Sequence, residues 1–265
     1  MKRGALIIAH PAHLLQILAW YEIMKPVVYL LTDGSGRAGI PHHEPIAKWL
    51  EENGGEQGPL FGRFTDRQIY DALLEENLDF FAAIIGEIKQ ELEDQEFDFV
   101  AGDSAEGYNP IHDVTRLMIG AAVEMLAREK GLRVANYDYA LVRPSHFCPD
   151  DLRTCSTRLD LDERQFARKE EALKTLDPEI LEEIHWQKTA DSYRVEYIRP
   201  CPNRSGFDGL PQVPPFYERL GEKKCVRGST NRRSGMRSTW SLWQKRSGRS
   251  WRKRKCRFED PFHEL

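Results

Sequence analysis

No stretch of this 265-residue chain reaches the roughly eighteen consecutive apolar residues of a membrane-spanning helix, so no membrane span is expected. Cysteine is scarce and scattered. Cys148, Cys155, Cys201, Cys225 and Cys256 are odd in number and none stands in CxxC spacing, which argues against a disulfide frame and a thiolate zinc site. No P-loop is present, which weighs against a nucleotide-phosphate cradle. Acidic residues are missing altogether between Lys223 and Phe258. That gap marks a boundary: residues 223–265 hold 14 Lys/Arg against 3 Asp/Glu, while residues 1–222 hold 24 against 39, and together they give the net −4.

What is present reads as a globular chain long enough to bury a full core. The apolar run 5–9 is too short for a secretory signal core and reads as a strand buried on both faces, so the cytosol is the expected compartment. His10-Pro11 stops it. Residues 12–24 carry Leu14, Leu15, Ile17, Leu18 and Tyr21 at helical spacing. Residues 27–31 read as a second strand ending in the polar turn Thr32-Asp33-Gly34-Ser35-Gly36. Helices are expected over 44–53, over 65–94 with one break, and over 114–130, with Gly131 as a C-cap. Residues 97–101 and 132–141 supply the third and fourth strands.

This alternation predicts an α/β fold: a mostly parallel sheet with helices on both faces and right-handed crossovers, Rossmann-like in outline. The expected organisation is an α/β domain over 1–150, a helical extension of it over 151–222 (helices over 161–176 and 179–193, a Pro/Gly-rich connector over 200–215), and a basic tail over 223–265. The tail, rich in Arg, Ser and Trp and without apolar periodicity, reads first as a disordered segment or as translation in a shifted frame. Nucleic-acid binding by its charges and Trp240, Trp243 and Trp251 ranks well behind.

In open α/β sheets, ligands bind beyond the carboxyl ends of the strands. Three such ends are polar here: residues 9–13 with His10 and His13, residues 32–36, and residues 102–113 with Asp103, Glu106, Asn109, His112 and Asp113. His10 and His13, three apart, can point the same way, and His112 at the start of a helix can close a three-histidine face. Imidazole suits zinc, and three protein ligands with one open position make a catalytic zinc site. The plainer alternative is that each histidine caps or packs locally. Asp33 reads as a turn former bonded to its own backbone, and Asp113 as a first-turn carboxylate favoured by the helix dipole.

The succession Ala9-His10-Pro11, then a helix, then Thr32-Asp33-Gly34, then Gly107-Tyr108-Asn109-Pro110-Ile111-His112 opening a helix, resembles the LmbE/PIG-L group of zinc-dependent N-deacetylases. Those proteins show Ala-His-Pro-Asp-Asp-Glu after the first strand, Thr-Asp-Gly after the second and His-Pro-x-His near the fourth. The resemblance covers residues 4–130, about half of the chain. It implies a zinc ion on His10, His13 and His112, with His13 standing where the family places a metal-binding aspartate. It also implies hydrolysis of an N-acyl bond on an amino sugar or sugar conjugate as the substrate. Two departures matter: Ala12 occupies the position of the general-base aspartate, and Asn109 replaces a histidine of the last motif. Substitute proton carriers are offered by Asp103, Glu106 and Asp113, and His146 past the fourth strand is a candidate acid or oxyanion donor. Arg37 and Asn109 are candidates to hold the substrate. The alternatives are a non-catalytic relative that binds a metal or a sugar-like ligand, and a nucleotide-sugar-binding protein of the glycosyltransferase type. A homo-oligomer is left open.

Overall fold

A computed structural model describes residues 2–36, 38–176, 190–201 and 215–217. Arg37, most of the helix expected over 179–193, most of the connector over 200–215 and the whole basic tail lie outside the described residues.

The chain forms a mixed α/β fold around one six-stranded sheet in the order β2-β1-β3-β4-β6-β5. Strands β1 (Gly4–Ile8), β2 (Val27–Leu30), β3 (Phe99–Asp103) and β4 (Ala135–Tyr139) run parallel, with Ala5 paired to both Val27 and Val100 and Ala101 to Tyr137. All five β1 residues are buried because its alternate side chains feed two cores. Leu6 and Ile8 join Leu14, Leu18, Trp20 and Leu30 on one face, while Ala5 and Ile7 join Ile69, Ile84, Ile88 and Ile119 on the other. An apolar run without polar alternation is the mark of a strand covered on both sides.

The helices are α1 (Leu18–Met24), α2 (Glu44–Glu52), α3 (Asp66–Leu74), α4 (Leu78–Asp94), α5 (Pro110–Lys130) and α6 (Glu163–Leu176). The expected break in 65–94 falls at residues 75–77, where Glu76 has φ +55° and Asn77 caps α4 by accepting from the Phe80 amide. α5 begins four residues earlier than the apolar pattern suggests, because Asn109 caps it and Pro110 fits its first position. The shift puts His112 and Asp113 in its first turn.

The helix expected over 12–24 is instead a 3-10 segment, Pro11–Ile17, followed by α1, with Ile17 at φ −125° separating them. The amides exposed at the start of α1 find a partner far away in sequence. Glu196 accepts from the backbone amides of Ala19 (3.2 Å) and Trp20 (2.8 Å), and Lys169 on α6 donates to both Glu196 (2.8 Å) and the Gln16 carbonyl (2.6 Å). Glu196 and Lys169 are both wholly buried. Glu196 lies on β6 (Val195–Pro200), which runs antiparallel to β4 and to the edge strand β5 (Thr157–Asp160). The stretch read from sequence as helical therefore also contributes two strands to the same sheet. Of the helix expected over 179–193, only residues 190–193 are described, and they form a 3-10 turn, Ala190–Tyr193.

Candidate metal centre

The parallel strands end side by side, and their polar ends converge. His10 follows β1 in extended conformation, and the 3-10 segment then turns at three residues per turn. Residues three apart lie over one another in that geometry, so His13 comes to lie beside His10, the rings edge to face and its amide donating to the His10 carbonyl at 3.2 Å. His112 comes from the first turn of α5. That helix packs tightly on the sheet because Gly102 has no side chain: a Cβ there would meet the Ile119 methyl at 2.5 Å. The three imidazoles form a cluster with ring centroids 5.1, 5.0 and 4.4 Å apart. Each offers a nitrogen, and these lie within 4.8 Å of one another. His10 Nδ1 and His112 Nε2 are 3.0 Å apart.

Two buried carboxylates stand behind the cluster. Asp103, at the end of β3 and fully buried, receives His13 Nδ1 at 2.9 Å and the Ala9 amide at 2.7 Å on one oxygen, and the Tyr139 hydroxyl at 3.2 Å on the other. Asp66, the first residue of α3, holds Oδ1 3.2 Å from His10 Nε2, within ion-pair reach but off the line of a hydrogen bond. Burial pushes the Asp66 carboxyl up, but His10, the Thr32 hydroxyl and the Gly36 amide outweigh it and hold the group down at about 2. Burial, and then the neighbouring His13 and His10, keep His112 well below the ordinary imidazole value and hence neutral near pH 7.

Asp66 is the site residue that the sequence reading misses. A Thr-Asp pair opening a helix reads only as a cap, and Thr65 with Gln68 does form a capping box. The tertiary contact arises because residue 64 bridges Thr32 beyond the end of β2, with the Asp33 amide donating to the Phe64 carbonyl at 2.8 Å. Gly34 makes room for this turn. It has φ +69°, and a Cβ would lie 2.8 Å from the Pro11 ring. Asp33 accepts from the Ser35 amide, the turn-forming role expected of it.

The other candidates are placed as follows. Asp113 receives the Glu106 and Gly107 amides on one oxygen and the Tyr217 hydroxyl on the other; burial raises it to about 6 against these bonds. Glu106 Oε2 accepts from the Leu141 and Val142 amides, and burial raises its carboxyl. Its Oε1 has no hydrogen-bond partner among the described residues. Asn109 spends Oδ1 on the Ile111 amide and the Tyr70 hydroxyl, leaving its Nδ2 unbonded there. His146 is exposed, bonded through Nδ1 to the Ser192 carbonyl, and stands outside the histidine cluster. Arg37 lies outside the described residues.

The donor set fits a borderline-soft divalent ion. It consists of three imidazoles, two of them backed by carboxylates, as metal-ligating histidines usually are.

Neither the protein-family models nor the curated proteins contain a match to the sequence. Solved structures do match in shape. The zinc-inhibited form of teicoplanin deacetylase Orf2 is 14% identical, with 75% of this chain and 97% of that one covered at a TM-score of 0.52. A deacetylase–bog complex from teicoplanin biosynthesis is 16% identical over the same shares at 0.52. A deacetylase–teicoplanin complex is 14% identical, covering 75% and 98%, at 0.50. At such identities the likeness is one of fold: this chain shares the architecture of the teicoplanin-pathway deacetylases, as the LmbE/PIG-L resemblance implies.

Proposed function

We propose that His10, His13 and His112 hold a zinc ion and that the protein is a metal-dependent hydrolase of an N-acyl bond on an amino sugar or sugar conjugate. The observation that carries this reading is the convergence of three imidazole nitrogens within 4.8 Å at the carboxyl edge of a parallel sheet. The fold shared with teicoplanin-pathway deacetylases supports the reaction class. A zinc ion in such a site supplies Lewis acidity toward a carbonyl and lowers the pKa of water to about 7.

The chain's own residues divide the remaining work. His112, kept neutral, is ready to ligate without first losing a proton. Asp103 and Asp113 accept hydrogen bonds on both oxygens, which favours Glu106 over them as the group that takes a proton from water. Glu106 is the remaining acceptor in these loops: burial raises its carboxyl and Oε1 is unbonded. Asn109 Nδ2 is the donor available to a substrate hydroxyl or carbonyl. The departing amine needs a proton, and His146, exposed and bonded through Nδ1 to the Ser192 carbonyl, is the candidate to give it.

A second reading has a specific observation in its favour: Ala12 carries no acid–base group where the resembled family has its base, which suits a metal-binding relative without catalysis. One pair of measurements separates the two. Metal analysis of wild type and His13→Ala should show zinc in the first and its loss in the second. Release of acetate from N-acetylglucosamine derivatives should then occur in the wild type. Zinc bound with no turnover, and turnover created by Ala12→Asp, would establish the non-catalytic reading; wild type free of zinc after loading would refute both.

A further inference from the structure

The metal reading leaves open which nitrogen each ring presents and what balances a dication among three neutral ligands. We propose that Asp66 and Asp103 are positioning residues that fix His10 and His13 in opposite tautomers, so that His10 ligates through Nδ1 and His13 through Nε2, and that they supply the two compensating negative charges. This inference rests on the reading of the histidines as a metal site.

The geometry dictates the assignment. Asp103 accepts from three directions, the Ala9 amide, the Tyr139 hydroxyl and His13 Nδ1, which suits an acceptor-only carboxylate and puts the His13 proton on Nδ1. Nε2 is then the remaining ligand atom of His13. Asp66 Oδ1 is buried without a hydrogen-bond partner and lies 3.2 Å from His10 Nε2, so its negative charge favours the His10 proton on Nε2 and leaves Nδ1 free. His10 Nδ1 in turn lies 3.0 Å from His112 Nε2. Two ring nitrogens at that separation share one proton, and with His10 Nδ1 bare the proton belongs to His112 Nε2.

His112 therefore differs from its two neighbours. Its only hydrogen-bond partner among the described residues is His10, and no carboxylate stands behind it. When a cation displaces that proton, the ring is free to hold its hydrogen on Nδ1 instead. Two rings are preset and the third adjusts.

Long-range proton–nitrogen NMR of the imidazoles tests this in the intact wild-type protein, before and after zinc is added. Without zinc, the expected tautomers are Nε2–H for His10, Nδ1–H for His13 and Nε2–H for His112. With zinc, only His112 changes, to Nδ1–H. Competition against a chromophoric chelator should show Asp66→Ala binding zinc about 10- to 100-fold more weakly, the usual cost of losing such a partner. The His10 ring in that variant should lose its single tautomer. Asp66→Asn keeps the shape without the charge, so it should lose the single His10 tautomer and bind zinc as weakly as Asp66→Ala. Metal-free wild type with His10 protonated on Nδ1, or equal zinc affinity in wild type and Asp66→Ala, overturns the positioning role while leaving the metal site standing. A wild type that takes up no zinc overturns both. The wild-type spectra decide the matter even where a variant fails to fold.

Discussion

At the antiparallel edge of the sheet, Lys169 and Glu196 meet as a buried ion pair whose remaining capacity is filled by the Gln16 carbonyl and the Ala19 and Trp20 amides. At the ends of the parallel strands, the His10, His13 and His112 cluster also buries polar groups, yet Asp66 Oδ1 has no hydrogen-bond partner among the described residues. The first network is closed and points inward at the start of α1; the second is partly open. Buried polar atoms without partners cost stability and occur elsewhere among the described residues too, Gln16 Oε1 and Thr157 Oγ1 among them, so what distinguishes the second network is that Asp66 Oδ1 stands 3.2 Å from His10 Nε2. The difference lies in what the charged groups face, backbone amides and a carbonyl in the first network and imidazole rings in the second, although both are buried.

The largest effect should come from breaking the closed network. Glu196→Ala leaves Lys169 buried without its counter-charge and strips two amides of their acceptor, which costs about 3–5 kcal/mol. Denaturant unfolding would measure it. Burial already holds the Lys169 amine below its ordinary value, against the pull of Glu196. Without Glu196 the amine must be buried neutral, while the unfolded chain keeps its proton up to about pH 10.4. The unfolded state then binds more protons, so the deficit relative to wild type should shrink as pH rises from 7 toward 10. A deficit independent of pH would mean that the charge of the pair matters less than the helix cap.

The next effect belongs to the open network. Zinc at a hundredfold excess over its dissociation constant should stabilise the wild type by about 2.7 kcal/mol. His112→Ala should lose most of that gain, whereas a Lys169→Met variant, if it folds, should keep it. Thermal melts with and without zinc, in chelator-treated buffer, provide the check. Loss of the zinc response in Lys169→Met would join the two networks into one and abolish the contrast.

A smaller change probes the turn that brings the open network together. Gly34→Ala places a side chain at φ +69° and against the Pro11 ring, next to His10. A non-glycine residue in that region costs of order 1–3 kcal/mol. Because the strain falls on the residue after His10, zinc affinity should drop along with stability, an association that stability changes in α6 should not show.

How much of this was legible beforehand follows from how local each signal is. β1, β2 and most of β3 could be read because short apolar runs stop at His10-Pro11, at the 32–36 turn and at Gly102. The three histidines could be nominated because strand ends of a parallel sheet share an edge. The 3-10 segment over residues 11–17 could not, since leucines at helical spacing suit either helix, and the deciding partner, Glu196, lies more than 170 residues away. β5 and β6 stayed hidden for a related reason: buried Glu196 and Arg199 interrupt the apolar pattern of β6, and their partners, Lys169 and Asp138, come from other elements. Asp66 was unreadable because its role depends on a bridge between residues 32 and 64, and only the loop length between β2 and α3 hints at it.

The finest test concerns that same aspartate. Thr65 caps α3 by accepting from the Gln68 amide at 3.1 Å, while Gln68 returns the bond to the Thr65 amide at 2.8 Å. Thr65→Ala should cost about 1 kcal/mol, the usual loss for a removed N-cap. Asp66 is nevertheless held independently, through the Gly36 amide and His10, so the carboxylate should stay in place. Zinc affinity in Thr65→Ala should therefore fall by much less than in Asp66→Ala, with the His10 tautomer unchanged. Should the two variants weaken zinc equally, the helix start rather than the carboxylate would be what orders the site, and the open network would depend on ordinary helix stability just as the closed one does.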